Sequence, residues 1–283
     1  MLEIRAARAE DKEAVLAFCQ GTFQWGDYIQ YVYDEWLNSE DGDLTVATMD
    51  GKPVALSHLN YLSPEEVWFE GLRVDPEYRR HGIAKAIGDY NRERALTRGM
   101  EVGRALIATN NLASQTLSAG LGFAKVMDYQ GWKLEMPVQR SIEPYVVRKA
   151  VDEDMPRLLQ FAMDYEGALI GWDWHVQQLS EYALKRALQD KALWFVELAG
   201  DVCCLSTVTF WPEERELDVM SYFSSELRHA EALVQYFVNE HLLGNVTALQ
   251  VILNDLQSPL NLEQFGFVMN EEALSGVWEI CLT

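Results

Sequence analysis

The chain opens the same way twice. Ile4-Arg5-Ala6-Ala7-x-x-x-Asp11 recurs 143 positions later as Val147-Arg148-Lys149-Ala150-x-x-x-Asp154. Asn110 and Leu121-Gly122-Phe123 recur at a shift of 144 as Asn254 and Phe265-Gly266-Phe267. Each opening reads as a strand followed by a helix, around residues 15–18 in the first copy and 158–163 in the second. Hairpin signals follow in both copies. Apolar runs at 44–49 and 54–59 flank Asp50-Gly51, and runs at 193–198 and 202–210 flank Gly200-Asp201. A sequence of 283 residues exceeds what one ordinary domain needs. The repeat therefore predicts two tandem α/β domains (α+β, mixed sheet) spanning 1–140 and 145–283 and joined near 138–145.

Composition narrows the function. Net charge is −21, from 23 basic and 44 acidic residues, which argues against nucleic acid or an anionic membrane surface as a partner. The first 140 residues hold 15 Lys/Arg against 21 Asp/Glu, and the remainder 8 against 23, so the second copy is much the more acidic. No apolar run approaches the about 18 residues of a membrane span. The N-terminus is charged and lacks the apolar core of a signal peptide, so a cytoplasmic protein is expected. Cys19, Cys203, Cys204 and Cys281 show no metal spacing. They read as reduced, buried thiols, and no metal site is expected.

Chemistry concentrates in residues 67–84, V-W-F-E-G-L-R-V-D-P-E-Y-R-R-H-G-I-A. An apolar strand pattern stops at Asp75-Pro76. Arg79, Arg80, His81 and Gly82 follow, and a helical pattern begins at Ile83. The first amides of a helix lack internal acceptors and carry the positive end of its dipole, so they suit a phosphate. Gly82 lets the backbone approach that phosphate, the small Ala84 keeps the next turn open, and Arg79 and Arg80 add charge. The segment reads as a pyrophosphate cradle for a nucleotide-like cofactor. At a shift of 148 the second copy has Leu227-Arg228-His229-Ala230-Glu231-Ala232, which removes the glycine and places a glutamate against the ligand.

Arg79-x-x-Gly82-x-Ala84 resembles the R/Q-x-x-G-x-G/A loop of the GNAT superfamily of acetyl-CoA-dependent N-acetyltransferases. Leu72-Arg73-Val74-Asp75-Pro76 looks like the end of that family's fourth strand. Asn111-Leu112-Ala113-Ser114-Gln115-Thr116-Leu117, running on to Gly120-Leu121-Gly122-Phe123, is similar to its N-x-x-A/S-x-x-L-x-x-x-x-G-F helix. The resemblance implies two tandem GNAT-like domains, the second degenerate, and acetyl-CoA (CoA) as cofactor. It further implies that the backbone of Leu72, Arg73 and Val74 bonds the pantetheine arm at a bulge near Gly71. Backbone N–H groups of Arg80, His81, Gly82, Ile83 and Ala84 would hold the pyrophosphate. Asn111 would approach the arm from the other side, or serve as an N-cap of its helix.

Transfer to an amine requires a base, because an ammonium is not a nucleophile. Glu70 is the candidate, set in an apolar strand where burial disfavours the charged carboxylate. An outward-facing Glu70 is the alternative, with His58 on the adjacent predicted strand in reserve. Family members that carry a tyrosine in the Asn111 helix protonate the departing thiolate with it. The matching residue here is Ser118, which leaves the acid unassigned. The family's acceptor loop corresponds to residues 23–28, so Trp25, Asp27 and Tyr28 are the candidate contacts. Asp27 would counter the cation of a small amine or amino acid. Trp172-Asp173-Trp174-His175 occupies the matching region of the second copy. Trp36-Leu37 and Phe69-Glu70-Gly71-Leu72-Arg73-Val74 look most like the branch containing histidine N-acetyltransferase. Two other functions stay open on these residues. One is a non-catalytic acyl-CoA binding or sensing protein, the other a protein N-acetyltransferase. The oligomeric state is not legible.

Overall fold

The computed structural model describes residues 1–22, 26–254 and 260–283, the side chains of 271–273 excepted. The chain forms two compact units. The first comprises Met1–Ile107, Asn111–Ala124 and Trp278–Thr283, and the second Ala108–Asn110 and Lys125–Val277.

In the first unit the order is β1 (Leu2–Ala6), α1 (Lys12–Cys19), α2 (Ile29–Asn38), β2 (Gly42–Met49), β3 (Lys52–Tyr61), β4 (Glu66–Val74), α3 (Ile83–Thr97), β5 (Val102–Ala108) and α4 (Leu112–Gly120). Strands β1 to β4 pair antiparallel in sequence, and β4 pairs parallel with β5. The helices cover the sheet with apolar side chains. Val15, Ile29, Tyr33 and Trp36 pack with Leu44, Val46 and Leu56, while Ile83 and Ile87 pack with Ala47, Val54 and Ala55. The closing residues of the chain belong to this unit as well. Ile280 and Leu282 share a core with Leu59, Val67, Phe123 and Met100, and Arg104 is held by both Glu66 and Glu279.

In the second unit β6 (Ala124–Leu134) is followed by β7 (Val146–Lys149), α5 (Met155–Ala162), β8 (Leu169–Trp172), β9 (His175–Gln178), α6 (Glu181–Gln189), β10 (Leu193–Leu198), β11 (Asp201–Trp211), β12 (Glu216–Ser224), α7 (Leu227–Leu242), β13 (Ala248–Asn254) and β14 (Phe267–Cys281). Strands β7, β10, β11 and β12 pair antiparallel in that order and β12 pairs parallel with β13, which repeats the order of the first unit. The shared opening motif has one cause in both. Arg5 grips Asp11 at 2.7 Å and Arg148 grips Asp154 at 3.0 Å. Each aspartate also accepts a backbone N–H three residues back, from Arg8 or Val151. The motif fixes the entry of the first helix, as a capping carboxylate does.

The units do not part at 138–145. Strand β6 pairs antiparallel with β13, from Gln250↔Lys133 to Asn254↔Tyr129, and so lies in the second unit, while Trp278–Thr283 lies in the first. Backbone pairing is non-local, so a repeat read along the sequence fixes the elements but not the partner of a closing strand. Among the described residues, no helix is long and apolar enough to cross a membrane.

Candidate active site

The ladder between β4 and β5 runs only from Glu66↔Val102 to Trp68↔Arg104, although β4 continues to Val74 and β5 to Ala108. Past Trp68 the two strands part. On its other edge β4 is bulged: Glu70 faces His58 and Arg73 faces Leu56, so three steps on β4 match two on β3. Gly71 makes the bulge possible, with φ of +67°. A Cβ there would lie 2.6 Å from Cζ3 of Trp36, so the glycine also seats that indole.

The turn into α3 forms as the sequence implies. Asp75 accepts the N–H of Glu77, and Pro76 opens a short 3₁₀ turn. Gly82 is the N-cap of α3 in the left-handed region, with φ of +78°, and a Cβ there would meet no atom within 4 Å. The first helical amide met by a carbonyl is that of Ala86, which donates to Gly82 O at 3.0 Å. Amides before it therefore stand at the open end of the helix, where an anion is favoured. Val74, Tyr78, Arg79, Arg80, Gly82, Ala84, Lys85 and Leu117 border a cleft of about 220 Å³ at this turn. Arg80 and His81 are exposed, His81 donating from Nδ1 to Arg79 O at 2.9 Å. The Ile83 side chain is turned into the core, so only its backbone can meet a ligand. The open glycine and unmet amides fit a pyrophosphate.

Glu70 is neither outward-facing nor alone. Its Oε1 lies 2.9 Å from Nδ1 of His58, and its side chain is 15% exposed. Trp36 stacks on the His58 ring at 4.3 Å and 6°. The sequence read His58 only as a substitute for Glu70, whereas the antiparallel register makes them one pair. Asn111 caps α4, its Oδ1 accepting the Ser114 N–H at 3.1 Å. Ser118 lies on the same helix, half-buried.

The acceptor side differs from the expectation. Asp27 is buried and its carboxylate is taken: Arg73 donates from Nε at 2.7 Å and Nη2 at 3.2 Å, and Ile29 N–H donates at 3.2 Å. The sequence assigned only the backbone of Arg73 a role. Its side chain turns back from the bulge because an unpaired buried aspartate would be costly. Tyr28 is half-buried, with the Arg73 guanidinium 5.2 Å from its ring centre and Trp36 edge-on at 6.0 Å. Burial pushes its phenol up from the ordinary value. Trp25 lies outside the described residues. A second cleft, of about 250 Å³, is bordered by Leu16, Cys19, Gln20, Gly26, Asp27 and Gln30. Burial pushes the Cys19 thiol up to about 12, which leaves it inert. Of the other cysteines, Cys203 and Cys204 are buried and Cys281 is exposed, contrary to the expectation that all four are buried.

The second unit keeps the frame without the chemistry. Strand β12 is bulged at Met220, between Thr207↔Ser221 and Val208↔Val219. Where His58 and Glu70 precede the bulge in the first unit, Val208 and Val219 do so here. Ala230, in the position of Gly82 by sequence, is fully buried, and Glu231 accepts from Gln264 at 2.9 Å.

Residues 7–123 match the model of the acetyltransferase (GNAT) family. The human protein named Probable N-acetyltransferase 16 is 34% identical over 84 residues, 29% of this chain and 23% of its own. Histidine N-acetyltransferase of Oreochromis niloticus is 29% identical over 102 residues, 36% of this chain and 30% of its own. The chain thus spans less than a third of the length of these curated relatives. Likeness of fold extends further. A GCN5-related N-acetyltransferase from Sphaerobacter thermophilus superposes with a TM-score of 0.69 at 13% identity, over 99% of this chain and 96% of that one. A tandem GNAT protein from the clavulanic acid biosynthesis pathway does so with a TM-score of 0.63 at 13% identity, over 100% and 99%. Residues 7–123, with their bulged fourth strand and glycine-capped helix, thus match the acetyltransferase (GNAT) family, and the second unit repeats their frame.

Proposed function

We propose that the protein transfers an acetyl group from acetyl-CoA to the amine of a small molecule, an amino acid or a related amine. The observation that carries the reading is the meeting, on one strand, of a carboxylate paired to histidine with a backbone bulge beside a glycine-capped helix N-terminus. The cradle of residues 80–84 would hold the pyrophosphate, and the opened strand from Leu72 to Val74 would receive the pantetheine arm. When bound there, acetyl-CoA supplies the activated acyl group. Glu70 takes a proton from the acceptor's ammonium, and the freed amine attacks the thioester carbonyl. The Arg73–Asp27 pair ties the acceptor loop to the bulge. Tyr28 and Trp25 would contact the acceptor, and the histidine N-acetyltransferases among the relatives favour an amino acid. Acetyl transfer is expected of the first unit alone. The cytoplasm is the proposed setting of the reaction.

Incubation with acetyl-CoA and individual amino acids or amines, read by release of free thiol, tests the reading. Thiol release that depends on one acceptor class and falls with Glu70→Gln supports it. CoA binding without acceptor-dependent release would establish instead a non-catalytic acyl-CoA binding protein, which Ser118 at the usual place of the acid favours.

A further inference from the structure

We propose that His58 is the positioning residue for Glu70: it donates Nδ1–H to the carboxylate and so holds the base ionised and aimed. The proposal rests on the reading of Glu70 given above.

The pocket of His58 admits one arrangement of its proton. The residue is 2% exposed, and the two side chains face each other across the β3–β4 ladder just before the bulge. Trp36 covers one face of the ring. At the far edge Gly42 approaches so closely that a Cβ there would lie 2.4 Å from Nε2. Nε2 is buried and finds no hydrogen-bond partner among the described residues. A proton placed on Nε2 would be a buried donor without an acceptor, costing about 1–3 kcal/mol, and would turn the Nδ1 lone pair against a carboxylate. The proton therefore sits on Nδ1 and Glu70 accepts it. Trp36 and Gly42 hold the ring in plane, so the donor cannot swing away.

Other elements add to the same geometry. Ser57 donates to the backbone carbonyl of Glu70 at 3.4 Å, and Asn91, buried in α3, donates to Ser57 at 3.0 Å. Among the described residues, Tyr28 stands within electrostatic reach of Glu70 and also of Arg73 and Asp27, which bind each other. Where the second unit has lost its phosphate turn, both members of the pair are valines. In the reaction the ammonium loses one proton to Glu70 and a C–N bond forms as the C–S bond breaks. The nitrogen sheds its second proton through solvent to the departing thiolate, leaving the amide and the free thiol, and Glu70 releases the first to solvent, while His58 keeps its own throughout.

The test separates the donor from the ring. His58→Leu removes the donor, and His58→Asn restores an N–H near the place of Nδ1. His58→Leu is expected to lower kcat about tenfold with the KM for acetyl-CoA unchanged, and to move the acid limb of the kcat/KM profile to higher pH, because a hydrogen bond to the ionised carboxylate has been lost. His58→Asn should recover most of kcat and return the limb. A readout independent of activity is the ¹⁵N spectrum of the histidine rings, with His58 identified by its loss in His58→Asn. It should show a protonated Nδ1 and a bare Nε2. A protonated Nε2, or an acid limb unmoved in His58→Leu while Glu70→Gln is impaired, overturns the proposal alone. Turnover indifferent to Glu70→Gln overturns the reading of Glu70 and the proposal with it.

Discussion

Arg73 reaches back from the bulge of β4 to bind Asp27 through Nε at 2.7 Å and Nη2 at 3.2 Å, while its Nη1 donates to the carbonyl of Leu72 at 3.1 Å. One guanidinium thus joins the strand proposed to receive pantetheine to the residue two places before α2. Burial acts to lower the Arg73 pKa, but its hydrogen bonds to Asp27 and the nearby charges of Tyr28, Asp27 and Cys19 together outweigh it, so it is raised. Asp27→Ala takes from that buried cation its carboxylate partner. It should lower stability by about 3 kcal/mol and raise the acceptor KM more than that for acetyl-CoA. Chemical denaturation and initial-rate kinetics check both, and an unchanged denaturation midpoint would remove the clamp.

One molecule of CoA should bind per chain. Gly82→Glu introduces a side chain at a left-handed N-cap and a negative charge where the pyrophosphate would lie, and it should abolish binding measured by calorimetry. The fair control in the second unit is Arg228→Glu, because Arg228 is exposed whereas Ala230 is fully buried. A glutamate at 230 would disrupt the core whatever its effect on a ligand. A stoichiometry of two would contradict the assignment.

Glu70→Gln keeps shape and removes the proposed base. Turnover should fall roughly 10²-fold or more, the acid limb of the pH–rate profile should disappear, and CoA affinity should remain. An intact acid limb would move the role of base to water.

Asp218 gives the second unit its own pH dependence. Burial, aided by Glu216 and Asp173 and opposed by the hydrogen bond from Trp211, raises its carboxyl from 3.8 to about 6. The folded state thus binds this proton more tightly than the unfolded state does. The resulting stability is complete below about pH 4 and is lost as pH rises through about 6. The increment should approach 3 kcal/mol. Asp218→Asn can still accept from Trp211 but does not titrate. It should therefore gain on the wild type between pH 4 and pH 7 in thermal unfolding, and a constant difference across that range would refute the assignment.

The closing segment should matter to the first unit although it lies far away in sequence. Removing 278–283 deprives Arg104 of Glu279 and opens the core around Phe123 and Met100 by loss of Ile280 and Leu282. Loss of such buried aliphatics costs about 2–5 kcal/mol each. The unfolding transition that acetyl-CoA raises should therefore shift down. Residues 1–140 expressed alone should show the same loss. Equal melting points for that fragment and the full chain would disprove it.

Much of this protein was legible in the linear sequence because its physics is local. The paired Arg5–Asp11 and Arg148–Asp154 motifs span seven residues each, the hairpins turn at Asp50-Gly51 and Gly200-Asp201, and the glycine N-cap at Gly82 lies within three residues of Arg79 and Arg80. Periodicity and turn chemistry alone therefore determine two α/β copies and one turn suited to an anion. What the sequence left open depends on atoms brought together from distant positions. Whether Glu70 faced outward, and whether His58 replaced or accompanied it, depended on the register of β3 against β4 at the bulge, since one residue of slip reverses a strand's faces. Asp27 looked free because nothing near it in sequence is basic, and Arg73 reaches it only through the fold. The partners of the closing strands were equally hidden, because a strand's hydrophobic pattern states that it will pair but not with which edge. Local residue chemistry determined the elements and the anion turn, and tertiary pairing alone decided which carboxylate is poised and which is tied.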